Sequence, residues 1–188
     1  MPSSGVMNLQ SLPPFAGQDF FHVVIESPHG STLKLKYCEQ WQAMGISRPL
    51  PAGLVFPFES GFVPSTRNAD GDPLDVFVVW DVCSFPGVVL ICRALGVLNV
   101  EQNAVNFDSS RRIRNDRVIA LPIETRREAG WDTLDDIPDR VRQEWIQFTI
   151  AAAALDGKDA TAVGWGGRDD ALSLIASAAD AAKGRVPG

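Results

Sequence analysis

The sequence predicts a mainly β, α+β fold: a small β-barrel with two C-terminal helices packed outside it. Two observations carry that prediction. Strand signals run from Phe20 to Ile123, and helix signals take over from Asp136 onward. No internal repeat and no long linker divides the chain. Residues 1–188 therefore read as one domain, with 1–15 as an irregular N-terminal extension.

The strands are read in order. Phe20–Glu26 (FFHVVIE) is an apolar, β-branched run. Thr32–Tyr37 (TLKLKY) alternates with period 2, which puts Lys34 and Lys36 on one face and Leu33, Leu35 and Tyr37 on the other. The loop Ser27-Pro28-His29-Gly30 between them is hairpin-like. Asp75–Asp81, Val88–Val100 and Arg117–Ile123 are further strands. The first helix opens at Asp136-Ile137-Pro138 and carries Val141, Trp145, Phe148, Ala152 and Leu155 at spacings of three and four. Gly157 stops it, and Asp169–Lys183 forms the second.

Composition excludes several classes. The chain is 45% hydrophobic and 21% charged, which is ordinary for a globular protein. Its net charge of -6 argues against a nucleic-acid partner, and an anionic substrate would need a local device to reverse the field. Cys38, Cys83 and Cys92 cannot all pair and form no C-x-x-C unit, so they read as reduced and structural. No apolar run approaches the ~18 residues of a membrane span. The first residues lack a basic and apolar leader, so the expected location is cytoplasmic, without a membrane partner.

The chemistry concentrates in Asp70-Gly71-Asp72-Pro73-Leu74-Asp75. Three carboxylates within six residues repel one another unless a cation compensates them, and oxygen donors of this kind suit Mg²⁺ or Mn²⁺. An exposed Asp-Gly turn between strands is the plainer reading of the same residues. A calcium EF-hand does not fit, because Leu74 and Asp75 fall where an oxygen ligand and a glycine are required. Other charged groups keep the turn company. Glu26 ends a strand, Lys34 and Lys36 line one face, Arg48 lies in a proline-rich approach, Glu101 follows a strand, and Asn115-Asp116-Arg117 opens another. A barrel gathers such strand ends at one mouth. The arrangement suits an enzyme whose partner is a small phosphate compound.

The segments VVIESP (Val23–Pro28), LKLKY (Leu33–Tyr37), VFPFESGFVPSTRNADGDPLDVFVV (Val55–Val79), PGVVLICRALGVL (Pro86–Leu98) and RVIALP (Arg117–Pro122) resemble the soluble family I inorganic pyrophosphatases. The late stretch from Gly157 to Trp165 continues the resemblance. It implies a five-stranded OB-like barrel that hydrolyses pyrophosphate to two phosphates with several Mg²⁺ ions, Mn²⁺ being a possible substitute. It also implies a homo-oligomer, a hexamer or smaller. By position, Asp70 and Asp75 would be metal ligands, and Asp72 would touch the metal and orient or deprotonate the attacking water. Glu101 falls about one residue from a family metal-binding Asp, and Asp116 stands one residue from the acid of the family's D-x-K. Both are expected as ligands. Lys34 and Arg48 would hold phosphate oxygens, and Glu26 would contact metal-bound water.

The departures from the family pattern cluster around the substrate. Lys36 stands where a strand acid is expected, Ser60 and Phe56 replace tyrosines, and Glu59 replaces an asparagine. Gln102 follows Glu101 where a second acid is common, and Ala151-Ala152 aligns with a substrate-gripping Tyr-Lys pair. Lys36 and Arg117 are expected to restore part of that positive charge. Arg111, Arg112 and Arg114 read as a solvated basic loop ahead of a reach into the site. Two alternatives follow: hydrolysis of another phosphoanhydride or phosphoester, or a degenerate relative that binds metal or phosphate. His22 reads as a satisfied core histidine, and Trp145 and Trp165 as packing.

Overall fold

The computed structural model describes residues 8–104, 111–126, 130–154 and 156–184. Nine strands and two α-helices follow one another as β1 (Phe20–Ser27), β2 (Leu33–Cys38), β3 (Ala43–Pro49), β4 (Glu59–Val63), β5 (Leu74–Val78), β6 (Val89–Asn103), β7 (Arg112–Arg114), β8 (Arg117–Pro122), α1 (Asp139–Ala154), β9 (Thr161–Gly166) and α2 (Arg168–Lys183) among the described residues.

Five strands close a ring in the order β1-β4-β5-β8-β6 and back to β1. Every pairing in it is antiparallel except β5–β8, which is parallel. The ring is OB-like, as the sequence led one to expect. Its longest member, β6, runs 15 residues and pairs in turn with β1, β8, β9 and β7. Register shifts at Ala94/Gly96 and Asn99/Val100 bend it enough to serve all four.

Period 2 sorts most of the apolar residues into two large clusters, beside a small third one of Val24, Tyr37 and Phe62. Val118 and Ala120 of β8 join Phe21, Val23, Val76 and the α2 residues Ala171 and Ile175. Their neighbours Ile119 and Leu121 join Phe58, Phe77, Leu98 and the α1 residues Trp145 and Phe148. The stacked pair Phe58–Phe77, with ring centroids 3.8 Å apart, anchors this second cluster. Close strand approach depends on Gly61, where an added Cβ would lie 2.1 Å from the Val24 carbonyl oxygen.

Several expectations need correction. The loop at residues 27–30 does not make a hairpin of β1 and β2. Instead β2 pairs with β3 in a separate two-stranded sheet, which places Arg48 in a strand opposite Lys34. Strands β3, β4, β7 and β9 are short or glycine-bearing, so each lacks a long apolar alternation of its own. Cys38, Cys83 and Cys92 are all free thiols, but Cys83 is exposed and lies outside any strand. His22 holds the Pro13 carbonyl at 2.8 Å through Nδ1. Trp145 and Trp165 pack with ring centroids 6.5 Å apart. Among the described residues no helix is long and apolar enough to cross a membrane.

Candidate active site

The acidic turn is built by backbone bonds. Asn68 N–H donates to the Asp72 carbonyl at 2.8 Å, and Gly71 N–H to the Asn68 carbonyl at 3.0 Å. Gly71 takes a φ of 92°, a conformation that favours glycine. The Asp70 carboxylate accepts the Asp72 N–H at 3.2 Å, and Thr66 Oγ1 accepts Leu74 N–H at 2.9 Å where β5 begins. Asp70, Asp72 and Asp75 thereby share the wall of one cavity with Glu26, Lys34, Lys36, Arg48 and Arg117. Eight expected site residues meet there. The space is about 90 Å³, well under the ~300–1,000 Å³ typical of drug-sized ligand pockets.

Ion pairs organise the cavity. Lys36 Nζ lies 2.6 Å from Asp72 Oδ2, and Arg117 Nη1 lies 3.1 Å from Asp75 Oδ2. Arg117 also donates to the Asn115 side chain at 2.7 Å. On the far side, Arg48 Nε lies 2.6 Å from Asp156 Oδ1, and Lys34 Nζ lies 3.5 Å from Asp156 Oδ2. Glu26 accepts Tyr37 N–H at 2.7 Å, which ties β2 and its two lysines to β1.

These placements set the charge states. Burial, aided by the charge of Asp75, pushes the Glu26 carboxyl up to about 7 against the opposing Tyr37 hydrogen bond. Burial also raises Asp70, and the Asp75 and Asp72 charges raise it further. Burial lowers Lys34. For Lys36 burial acts downward, but the Asp72 hydrogen bond and the surrounding carboxylates outweigh it and raise the group.

Two expected ligands lie elsewhere. Glu101 and Asp116 do not line the cavity; their sequence neighbours Gln102 and Asn115 do. Asp116 turns its carboxylate to Val100 N–H at 2.8 Å and to Arg114 Nη2 at 2.9 Å. The reason is strand parity: Gln102 follows Leu98 and Val100 toward one cluster, and Asn115 and Arg117 follow Ile119. Arg112 and Arg114 lie on β7 and bond Asp159 and Asp116, away from the cavity. Residues 105–110 of that stretch fall outside the described residues.

Asp156 and Lys158 also line the cavity and were not singled out from the sequence. Their signal was the polar turn around the Gly157 helix stop. Ser60, Phe56 and Ala152 face the cavity as well. Buried Glu59 does not, since its carboxylate takes Ser84 N–H at 2.9 Å and Ser84 Oγ at 2.5 Å. The Nε2 of Gln102 and the Nε and Nη1 of Arg48 are buried with no hydrogen-bond partner among the described residues, the Nε contact with Asp156 being an ion pair without hydrogen-bond geometry. Each is a donor left unpaired by the protein.

The donor set fits a hard divalent cation. It offers carboxylate oxygens, and the burial and mutual repulsion that raise Asp70 call for positive charge. Among the described residues no three His, Cys, Asp or Glu side chains converge as a complete cage.

An OB-like ring bearing a small cavity of paired carboxylates and cations defines a charged centre suited to a compact anionic compound. Comparison with known proteins narrows this. The sequence model for inorganic pyrophosphatase matches residues 23–183. The inorganic pyrophosphatase of Thermus thermophilus is 34% identical over 172 residues, covering 89% of this chain and 94% of that protein. A crystal structure of the inorganic pyrophosphatase from Thermus thermophilus superposes with a TM-score of 0.84 at 32% identity, over 94% of this chain and 99% of that one. An inorganic pyrophosphatase structure from Coxiella burnetii gives 0.81 at 29% identity, over 90% and 99%. The chain belongs to the inorganic pyrophosphatase family.

Proposed function

We propose that this chain hydrolyses inorganic pyrophosphate to two phosphates, with Mg²⁺, or Mn²⁺ in its place, held by Asp70 and Asp75. One observation carries the reading: the acidic turn and four cations, Lys34, Lys36, Arg48 and Arg117, share a cavity sized for a small anion. The divalent ion, when bound, acidifies coordinated water and neutralises phosphate charge. Asp72 accepts the proton of the attacking water. Lys34 and Arg48 hold one phosphate group, and Lys36 and Arg117 take oxygens of the other as charge passes to it. Glu26 fixes β2 through Tyr37 N–H and so sets where both lysines stand. Glu101 and Asp116 carry no role in this scheme, because neither reaches the cavity.

A second reading keeps the chemistry and enlarges the substrate. Ser60 and Ala152 on the wall leave room for another phosphoanhydride or phosphoester. Phosphate release from pyrophosphate, nucleoside triphosphates and short polyphosphates, compared by kcat/KM with Mg²⁺, separates the two. The expected result is a preference of orders of magnitude for pyrophosphate. Equal or greater release from a larger compound overturns it. Family resemblance extends the proposal to a cytoplasmic homo-oligomer, a hexamer or smaller.

A further inference from the structure

Lys34 and Arg48 stand opposite each other in the β2–β3 register and share a single carboxylate, that of Asp156. Its Oδ1 lies 2.6 Å from Arg48 Nε. Its Oδ2 lies 3.2 Å from Arg48 Nη2 and 3.5 Å from Lys34 Nζ. A carboxylate set against the side of a guanidinium presents the same two-oxygen face that a phosphate group presents. We infer that Asp156 is a built-in competitor for the anion: it occupies the position between Lys34 and Arg48 that a substrate phosphate must take, and so sets the affinity for that phosphate. This rests on reading Lys34 and Arg48 as the phosphate-holding pair.

Four features favour competition over mere positioning. Arg48 does not need Asp156 to stay in place, because its Nη2 also donates to the Ala152 carbonyl at 2.7 Å. Lys34 is carried by a paired strand. Asp156 itself sits in the turn after α1 with its side chain 25% exposed, and Gly157 follows at a φ of 66°. A side chain on such a turn can swing to water without disturbing a strand. The Arg48 fork also retains a buried, unpartnered Nη1 among the described residues, so an entering phosphate finds a donor that Asp156 does not use. With Asp156 in place the pair offers one net positive charge; with Asp156 displaced it offers two.

The test is titration of the full chain with inorganic phosphate in metal-free buffer, followed by calorimetry and by thermal shift. Asp156→Asn should bind phosphate about two- to fivefold more tightly than the unaltered chain, the scale of one partly exposed ion-pair competitor. Its KM for pyrophosphate should fall by a similar factor. Asp156→Ser should move the same way, and a circular-dichroism melt shows which variants are folded. Equal or weaker phosphate binding by a folded variant overturns the inference, because it would mean that Asp156 supports the two cations. A chain that releases no phosphate from pyrophosphate contradicts the proposed reaction instead, and the binding comparison is unaffected.

Discussion

The Lys36 ammonium sits 2.6 Å from the Asp72 carboxylate, inside the turn that is expected to work with a divalent cation. A side-chain cation therefore already compensates the acid assigned as the proton acceptor. The pair is roughly half exposed on both sides, so it is worth no more than ~1 kcal/mol. Lys36→Gln should then tighten Mg²⁺ binding by up to about fivefold while raising KM for pyrophosphate. Calorimetric titration with Mg²⁺, alongside steady-state kinetics, checks both halves of that expectation.

A pH signature should follow from Glu26. Its carboxyl is raised from 4.5 to about 7 in the folded chain, chiefly by burial. Below the unfolded value both states are protonated, and the group does not oppose folding. As pH rises, the unfolded chain ionises first, so stability is lost progressively until the folded value is passed. Glu26→Gln removes that loss and should accept the same Tyr37 N–H. Its stability advantage over the unaltered chain should grow between pH 4.5 and about 7 to roughly 3 kcal/mol, then level off. Denaturant melts in metal-free buffer across this range measure it, and a pH-independent difference would rule it out.

Strand parity yields a paired test on β6. Gln102 lines the cavity and Glu101 does not. Adding a carboxylate at the wall by Gln102→Asp should raise Mg²⁺ affinity by about tenfold, since affinity follows ligand charge. Removing one by Glu101→Gln should change it by less than about twofold. The reverse ranking would mean that the register places Glu101 toward the metal.

Much of this was legible in the sequence. The period-2 run at Lys34 and Lys36, the acidic turn and the late helices needed only local pattern, and each is found in place. The one-residue choices were not legible. Glu101 against Gln102 and Asp116 against Asn115 depend on the register of β6 and β8, which cross-strand pairing sets and composition does not reveal. The proline-rich segment around Arg48 carries no strand pattern of its own, and pairing with β2 is what makes it a strand. Asp156 meets Lys34 and Arg48 across more than a hundred residues of sequence, a contact no local signal announces.

The ring itself should fail at Gly61. An added Cβ there lies 2.1 Å from a backbone carbonyl of β1, and a backbone neighbour cannot move aside cheaply. Gly61→Ala should cost more than about 2 kcal/mol in a denaturant melt. Gly53, whose missing Cβ meets nothing but whose φ is 86°, should cost about 1 kcal/mol through backbone strain alone.

The most direct test of the whole scheme is phosphate release from pyrophosphate with Mg²⁺, measured for the unaltered chain and for Asp72→Asn. The substitution keeps the shape of the turn and removes the proton acceptor. The unaltered chain should release phosphate, and the variant should lose about 10²- to 10⁴-fold in kcat while remaining folded. Equal rates in the two proteins, or no release from either at any metal concentration, would contradict the account.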